Sequence, residues 1–284
     1  MLWGLLSALL FGTADFFAAN SSKRIGAYTT LFYMQLVGFM LLCVVMAVSG
    51  EWYVLRSLSG VTAAGLWMLV DLVGILLLYK GLLAGQASIV APITSSFSVV
   101  TVSLSIAFGD HVNWLTLTGI ALTILGVIGA TLTMPRSGNK QSPNAKAAEG
   151  SLWAILAALF LGTAFFGLRN PVEDLGGIAT VWVGRLQAIV LLPLLSLLGK
   201  WKLSRPKRGH WGNLLIVGGL DSFAIVSYNL GLGYEQTSIV ITAASLFAIV
   251  TLVWGVLLGK ERPLWNQWIG VTLTFAGITM VSLG

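Results

Sequence analysis

The chain has 284 residues, 57% of them hydrophobic and 9% charged, with a net charge of +6 and a mean hydropathy of +0.90. A soluble domain carries about 25% charged residues, so this chain cannot clothe a water-facing surface, and it reads as an all-α, polytopic membrane protein. A single cysteine, Cys43, excludes an internal disulfide. His111 and His210 stand far apart with no ligand spacing around them, so neither a metal centre nor a cofactor is expected.

Apolar runs long enough for spans of about 17–25 residues fall at 2–19, 28–48, 61–82, 87–108, 113–133, 151–169, 178–198, 212–232, 237–259 and 264–283, ten in all. The first lacks a positive leader, since Lys23 and Arg24 follow it, and Asp15 interrupts it; it is expected to be a span rather than a signal peptide. A polar connector at 135–150 separates a first five-helix repeat, 1–134, from a second, 151–284. The two halves match at an offset of 150: Gly12-Thr13-Ala14 with Gly162-Thr163-Ala164, Thr30 with Thr180, Asp71 with Asp221, and Ser88, Ser95 and Phe97 with Ser238, Ser245 and Phe247. Gly119 and Gly126 match Gly270 and Gly277 at 151. Five spans per half is an odd number, so the second half enters the membrane inverted. Ten transmembrane helices as two inverted-topology five-helix repeats is a common plan of secondary transporters, with the substrate site near midplane.

Lysine and arginine set the orientation. Thirteen of the sixteen fall in one set of loops, Arg56 and Arg169 in the other, and Arg185 lies inside a span. The positive-inside rule places the thirteen in the cytoplasm, the connector with them, and both termini outside a cell (inner) membrane. The positive charge therefore reports topology and anionic lipid rather than nucleic acid.

The polar residues inside spans are the candidate site. An acid at mid-membrane costs about 2.5–3.5 kcal/mol on insertion scales, so Asp71, with Trp67 one turn before it, is read as a carboxylate for a cationic group or a proton. Asp221 is its repeat mate, with Tyr228 two turns along the same stripe. Asp15 corresponds to Phe165, and Arg185 to Gln35; such departures from the repeat suit substrate contact. Asp15 reads equally as an acid close to a span boundary. A buried arginine must be paired, and Asp71, Asp221 or Asp15 could serve Arg185. Trp182, beside it, could stack on a ring or cation. Ser88, Pro92 and Ser95, with Ser238, Thr242 and Ser245, form a polar stripe on spans four and nine that lines a cavity or bonds neighbouring helices. Pro92 is expected to break or bend its helix. The glycines of spans five and ten are explained by close helix packing.

With two five-span halves, a Gly-Thr turn in spans one and six, and Gly259-Lys260-Glu261-Arg262-Pro263 before a glycine-spaced last helix, the whole chain resembles the ten-helix EamA-type members of the drug/metabolite transporter superfamily. The first half departs from that turn, reading Gly109-Asp110-His111-Val112. The resemblance implies a carrier of small metabolites, amino acids or toxic compounds, often outward. The expected function is alternating-access transport of an amino-acid-like, zwitterionic or cationic solute, with proton coupling open. The expected partners are the solute, membrane lipid and protons, in a monomer or homodimer. A sugar or nucleoside facilitator is the alternative. A membrane-embedded enzyme of lipid substrates lacks any paired His, Asp cluster or loop nucleophile with a base.

Overall fold

The computed structural model describes residues 2–109, 113–131, 143–198, 203–234, 244 and 246–283. Among the described residues every regular element is a helix, the arrangement a bilayer demands because it leaves no water to satisfy a free backbone. The first half comprises α1 (Leu2–Ile25), α2 (Ala27–Ser49), α3 (Leu58–Ala84), α4 (Ala87–Ser95), α5 (Phe97–Ala107) and α6 (Trp114–Thr131). The second comprises α7 (Pro143–Gly167), the short α8 (Arg169–Leu175), α9 (Gly177–Leu197), α10 (Trp211–Tyr234), α11 (Phe247–Leu257) and α12 (Trp265–Leu283). Among the described residues six stretches are long and apolar enough to cross a membrane: 2–25, 27–49, 58–84, 87–107, 148–167 and 177–197. The chain is a polytopic membrane protein built on a doubled plan.

The doubling is visible at single turns. Gly26 opens α2 with φ 87° and Gly176 opens α9 with φ 75°, a backbone region open to glycine and strained for other residues. In each case the threonine four residues on, Thr30 or Thr180, donates its hydroxyl to that glycine's carbonyl, at 3.0 and 2.8 Å. Each such pair stands 150 residues from the other.

Packing follows the same rule. α1 lies against α10 and α11, as α7 lies against α3 and α5. α2 meets α10 as α9 meets α3, and the α2–α9 and α6–α12 seams are each their own counterpart. Where α1 crosses α11, Gly12 abuts Phe247 and Val250, and Thr251 Oγ1 donates to Gly12 O at 3.1 Å. Where α7 crosses α5, Gly162 abuts Phe97 and Val100, and Thr101 Oγ1 donates to Gly162 O at 2.9 Å. Along α6 and α12, Gly119 faces the backbone at Gly277, and Gly126 faces Gly270 and Thr274. A side chain at any of these glycines would strike the neighbouring helix, which is the small-residue packing expected where lipid supplies no hydrophobic drive.

Two boundaries differ from the sequence reading. The first span was expected to end at 19, before a polar stretch, yet α1 runs on to Ile25 and buries Ser21 and Ser22 against its neighbours. Asp15 consequently stands near the middle of its helix rather than close to its end. The break expected at Pro92 falls instead at Ser96, between α4 and α5; Pro92 lies inside α4. Ser96 has φ −67° and ψ 0°, and Leu246, its counterpart ahead of α11, has φ −72° and ψ −2°. Thr242 occupies the proline's place in that half, so the break belongs to the repeat and not to the proline.

Candidate polar centre between the two halves

Four helices bring charged groups to mid-length: α1 with Asp15, α3 with Asp71, α9 with Arg185 and α10 with Asp221. Arg185 is among the largest fully buried side chains, 2% exposed. Its Nη2 donates to Asp221 Oδ2 in an ion pair whose carboxylate is 14% exposed. Of the three acids that could have served it, the arginine takes the one on the adjoining helix of its own half. Room for the guanidinium comes from α2, where Gly38 lies directly against Nη1; any Cβ there would occupy the same space as the arginine. Ser222 Oγ also borders this spot, and its hydroxyl donates back to Gly218 O at 2.7 Å.

Asp71 is buried, 8% exposed, and lies close enough to Asp221 and Arg185 to feel both charges. Asp15 feels the charge of Asp221 from the other side. Tyr79, a buried residue of α3 that the sequence did not single out, is within electrostatic reach of Asp221, Asp15 and Arg185. It stands next to Lys80, near the end of the third apolar run. Its repeat mate is Asn229, and that departure from symmetry was the available signal. Nε and Nη1 of Arg185 are buried without a hydrogen-bond partner among the described residues.

The remaining candidates scatter around this centre. Gln35 is buried on α2 one turn from Gly38. Tyr228 is half-buried on α10. Trp67 is half-buried and its ring packs directly against Gly167 at the end of α7. Trp182 joins a different group: its Nε1 lies 3.1 Å from Cys43 Sγ, and its ring sits 5.5 Å from those of Phe39 and Trp52. Ser95 is buried and donates to Pro92 O at 2.8 Å. Ser96 and Ser98 likewise donate to carbonyls of their own helical stretch. Ser245 lies outside the described residues. Lys80 places its Nζ 4.8 Å from the centre of the Trp153 ring.

Chemically, the centre holds three carboxylates and one guanidinium. The Arg185–Asp221 pair neutralises itself, which a buried charge in lipid requires. Asp15 and Asp71 have no guanidinium of their own, so they suit a proton or a cationic guest. The partnerless nitrogens of Arg185 suit an acceptor such as a carboxylate. Among the described residues no group of three His, Cys, Asp or Glu could hold a metal ion.

Residues 1–132 and 148–283 match the model of the EamA-like transporter family. An uncharacterized protein of Methanocaldococcus jannaschii is 32% identical over 129 residues, which is 45% of this chain and 93% of that one. An uncharacterized transporter of Archaeoglobus fulgidus is 27% identical over 136 residues, covering 46% of this chain and 47% of that one. A crystal structure of an 18% identical protein superposes with a TM-score of 0.67 over 99% of this chain and 96% of that one, a likeness of fold.

Proposed function

Since the chain belongs to the EamA-like transporter family, we propose that this membrane transporter carries a small zwitterionic or cationic solute, amino-acid-like in its charges, by alternating access of its two halves. The solute sits at the charged centre. Its ammonium group faces Asp15 and Asp71, and its carboxylate faces the free edge of Arg185. The observation that carries this reading is the meeting, at mid-length of α1, α3, α9 and α10, of three acids with one buried arginine that has two unpartnered nitrogens. Groups of this kind inside a membrane mark substrate and ion pathways. When no solute is bound, protons take its place on Asp15 or Asp71, and this exchange couples flux to the proton gradient. The lysine-rich loops lie on the cytoplasmic side of the cell membrane and both termini outside it, with anionic lipid against those loops.

A sugar or nucleoside facilitator, the alternative, draws on the hydroxyls of the fourth span. The donors of Ser95, Ser96, Ser98 and Thr101 are engaged by helix carbonyls, which leaves Ser88 and Thr94 as the hydroxyls of that span on which the alternative rests.

A thermal-stabilisation screen of the purified protein against amino acids, organic cations, sugars and nucleosides tests the reading. Stabilisation by the first two classes is expected, and stabilisation by sugars alone would replace the reading with the alternative. In proteoliposomes, Asp71→Asn is expected to abolish solute-driven flux while the protein still folds, and Asp221→Asn to abolish it with a loss of stability, since it leaves the buried Arg185 without its carboxylate. Normal transport by both variants would remove the centre from the mechanism.

A further inference from the structure

A second polar assembly lies at the lysine-rich end of the bundle, the cytoplasmic end in the topology above. Glu261 stands in the turn between α11 and α12. Its carboxylate accepts from the first two amides of α4, Ala87 N–H at 2.9 Å and Ser88 N–H at 2.8 Å. Lys23, in the last turn of α1, approaches the same carboxylate at 4.0 Å. One side chain of the second half thus holds two helices of the first. Amides at a helix start have no partner within the helix and carry partial positive charge, so a carboxylate there makes charge-assisted bonds. Gly255 permits the approach: a Cβ there would come within 2.7 Å of Glu261 Oε2 and 3.1 Å of Ser88 N. Nearby, Gly81 on α3 and Gly85 just past its end close against the backbone of Gly150 on α7.

The surfaces drawn together at this end enclose several polar side-chain atoms. Ser21 Oγ and Ser22 Oγ in the last turns of α1, Gln86 Oε1 just ahead of α4, and Ser88 Oγ and Thr94 Oγ1 along it are all buried without a hydrogen-bond partner among the described residues. Buried polar atoms are normally satisfied, and leaving one unpaired is costly. Hydroxyls gathered on two facing helices, with nothing to bond when the helices touch, suit a surface that is packed in one state and wetted in another.

We propose that Glu261 is the latch of the cytoplasmic side: the inner route of the transporter runs between the end of α1 and α4, and it opens when the Glu261 carboxylate lets go of the α4 amides. The proposal rests on the transporter reading only in requiring a state open to the cytoplasm; it needs no particular solute.

Cys43 is the sole cysteine, so Cys43→Ser gives a thiol-free background for the full chain. In that background Ser88→Cys is labelled with N-ethylmaleimide in inside-out vesicles. Slow labelling is expected, rising at least tenfold when Glu261→Gln is added, while Ser59→Cys, exposed at the far end of α3, keeps its rate. A merely structural cap would lower the melting temperature and leave Ser88→Cys labelling within twofold, and that result overturns the proposal. Should Glu261→Gln fail to fold, Lys23→Gln removes only the exposed partner and is expected to raise labelling two- to threefold; an unchanged rate overturns the proposal equally. Because labelling needs no substrate, a failed solute screen leaves this test intact.

Discussion

The helix seams and the charged centre obey different rules. At the seams the two halves are interchangeable: Gly12 with Thr251 repeats as Gly162 with Thr101, down to the same hydrogen bond. At the centre they are not. Asp15 stands where the other half has Phe165, a residue that stacks across the halves on Phe97 with ring centres 4.9 Å apart. Arg185 stands where the other half has Gln35, and Tyr79 where it has Asn229. Asp71 and Asp221 alone keep the repeat there, and even they part company, since Asp221 holds the arginine and Asp71 does not. Packing therefore carries the symmetry, and chemistry sits where the symmetry lapses.

That contrast can be broken by mutation. The largest effect is expected at Arg185→Gln, which strands Asp221 and should cost about 3–5 kcal/mol of stability, the usual loss when one partner of a buried pair is removed. Adding Asp221→Asn should recover much of that stability without recovering transport. A double variant with normal flux would make the centre as structural as the seams. Next is Gly270→Val on α12, expected to cost about 1–3 kcal/mol through overpacking against α6, measured as a drop in melting temperature. Asp15→Asn should leave the melting temperature nearly unchanged yet lower flux at least tenfold, equivalent to about 1.4 kcal/mol; an equal loss of both would place Asp15 with the scaffold. Smallest are Thr101→Val and Thr251→Val, each expected to cost about 0.6 kcal/mol, the average for a hydrogen bond between membrane helices. Symmetry demands that the two costs agree, and a clear difference between them would show the halves to be unequal even in their packing.

The seams were largely legible in the sequence, because a glycine that must touch another helix leaves the same letter at the same offset in both halves. Gly12, Gly162, Gly119 and Gly277 were found that way. The charged centre was legible as a list but not as an arrangement. Which acid Arg185 takes depends on how α9 and α10 pack, and the space it fills is owed to Gly38, a glycine whose mate is Ala188 and which therefore left no repeat signal. The extent of α1 was hidden because a polar stretch reads as a loop, while Ser21 and Ser22 are in fact buried between helices. Pro92 was a misleading cue of the opposite kind. A proline tolerated within α4 drew attention from a break that both halves make without its help.

The α6–α12 and α2–α9 seams, each its own counterpart, are what a two-fold dimer interface looks like: the same patch presented twice, complementary to itself. A pair of identical chains could build such seams as well as one doubled chain can. It could not build this centre, for in an identical pair every charge comes twice, and one guanidinium would always face another across the axis. Joining the halves covalently is what permits a lone arginine among three acids. The tether thus releases the middle of the molecule from a symmetry that its periphery still keeps.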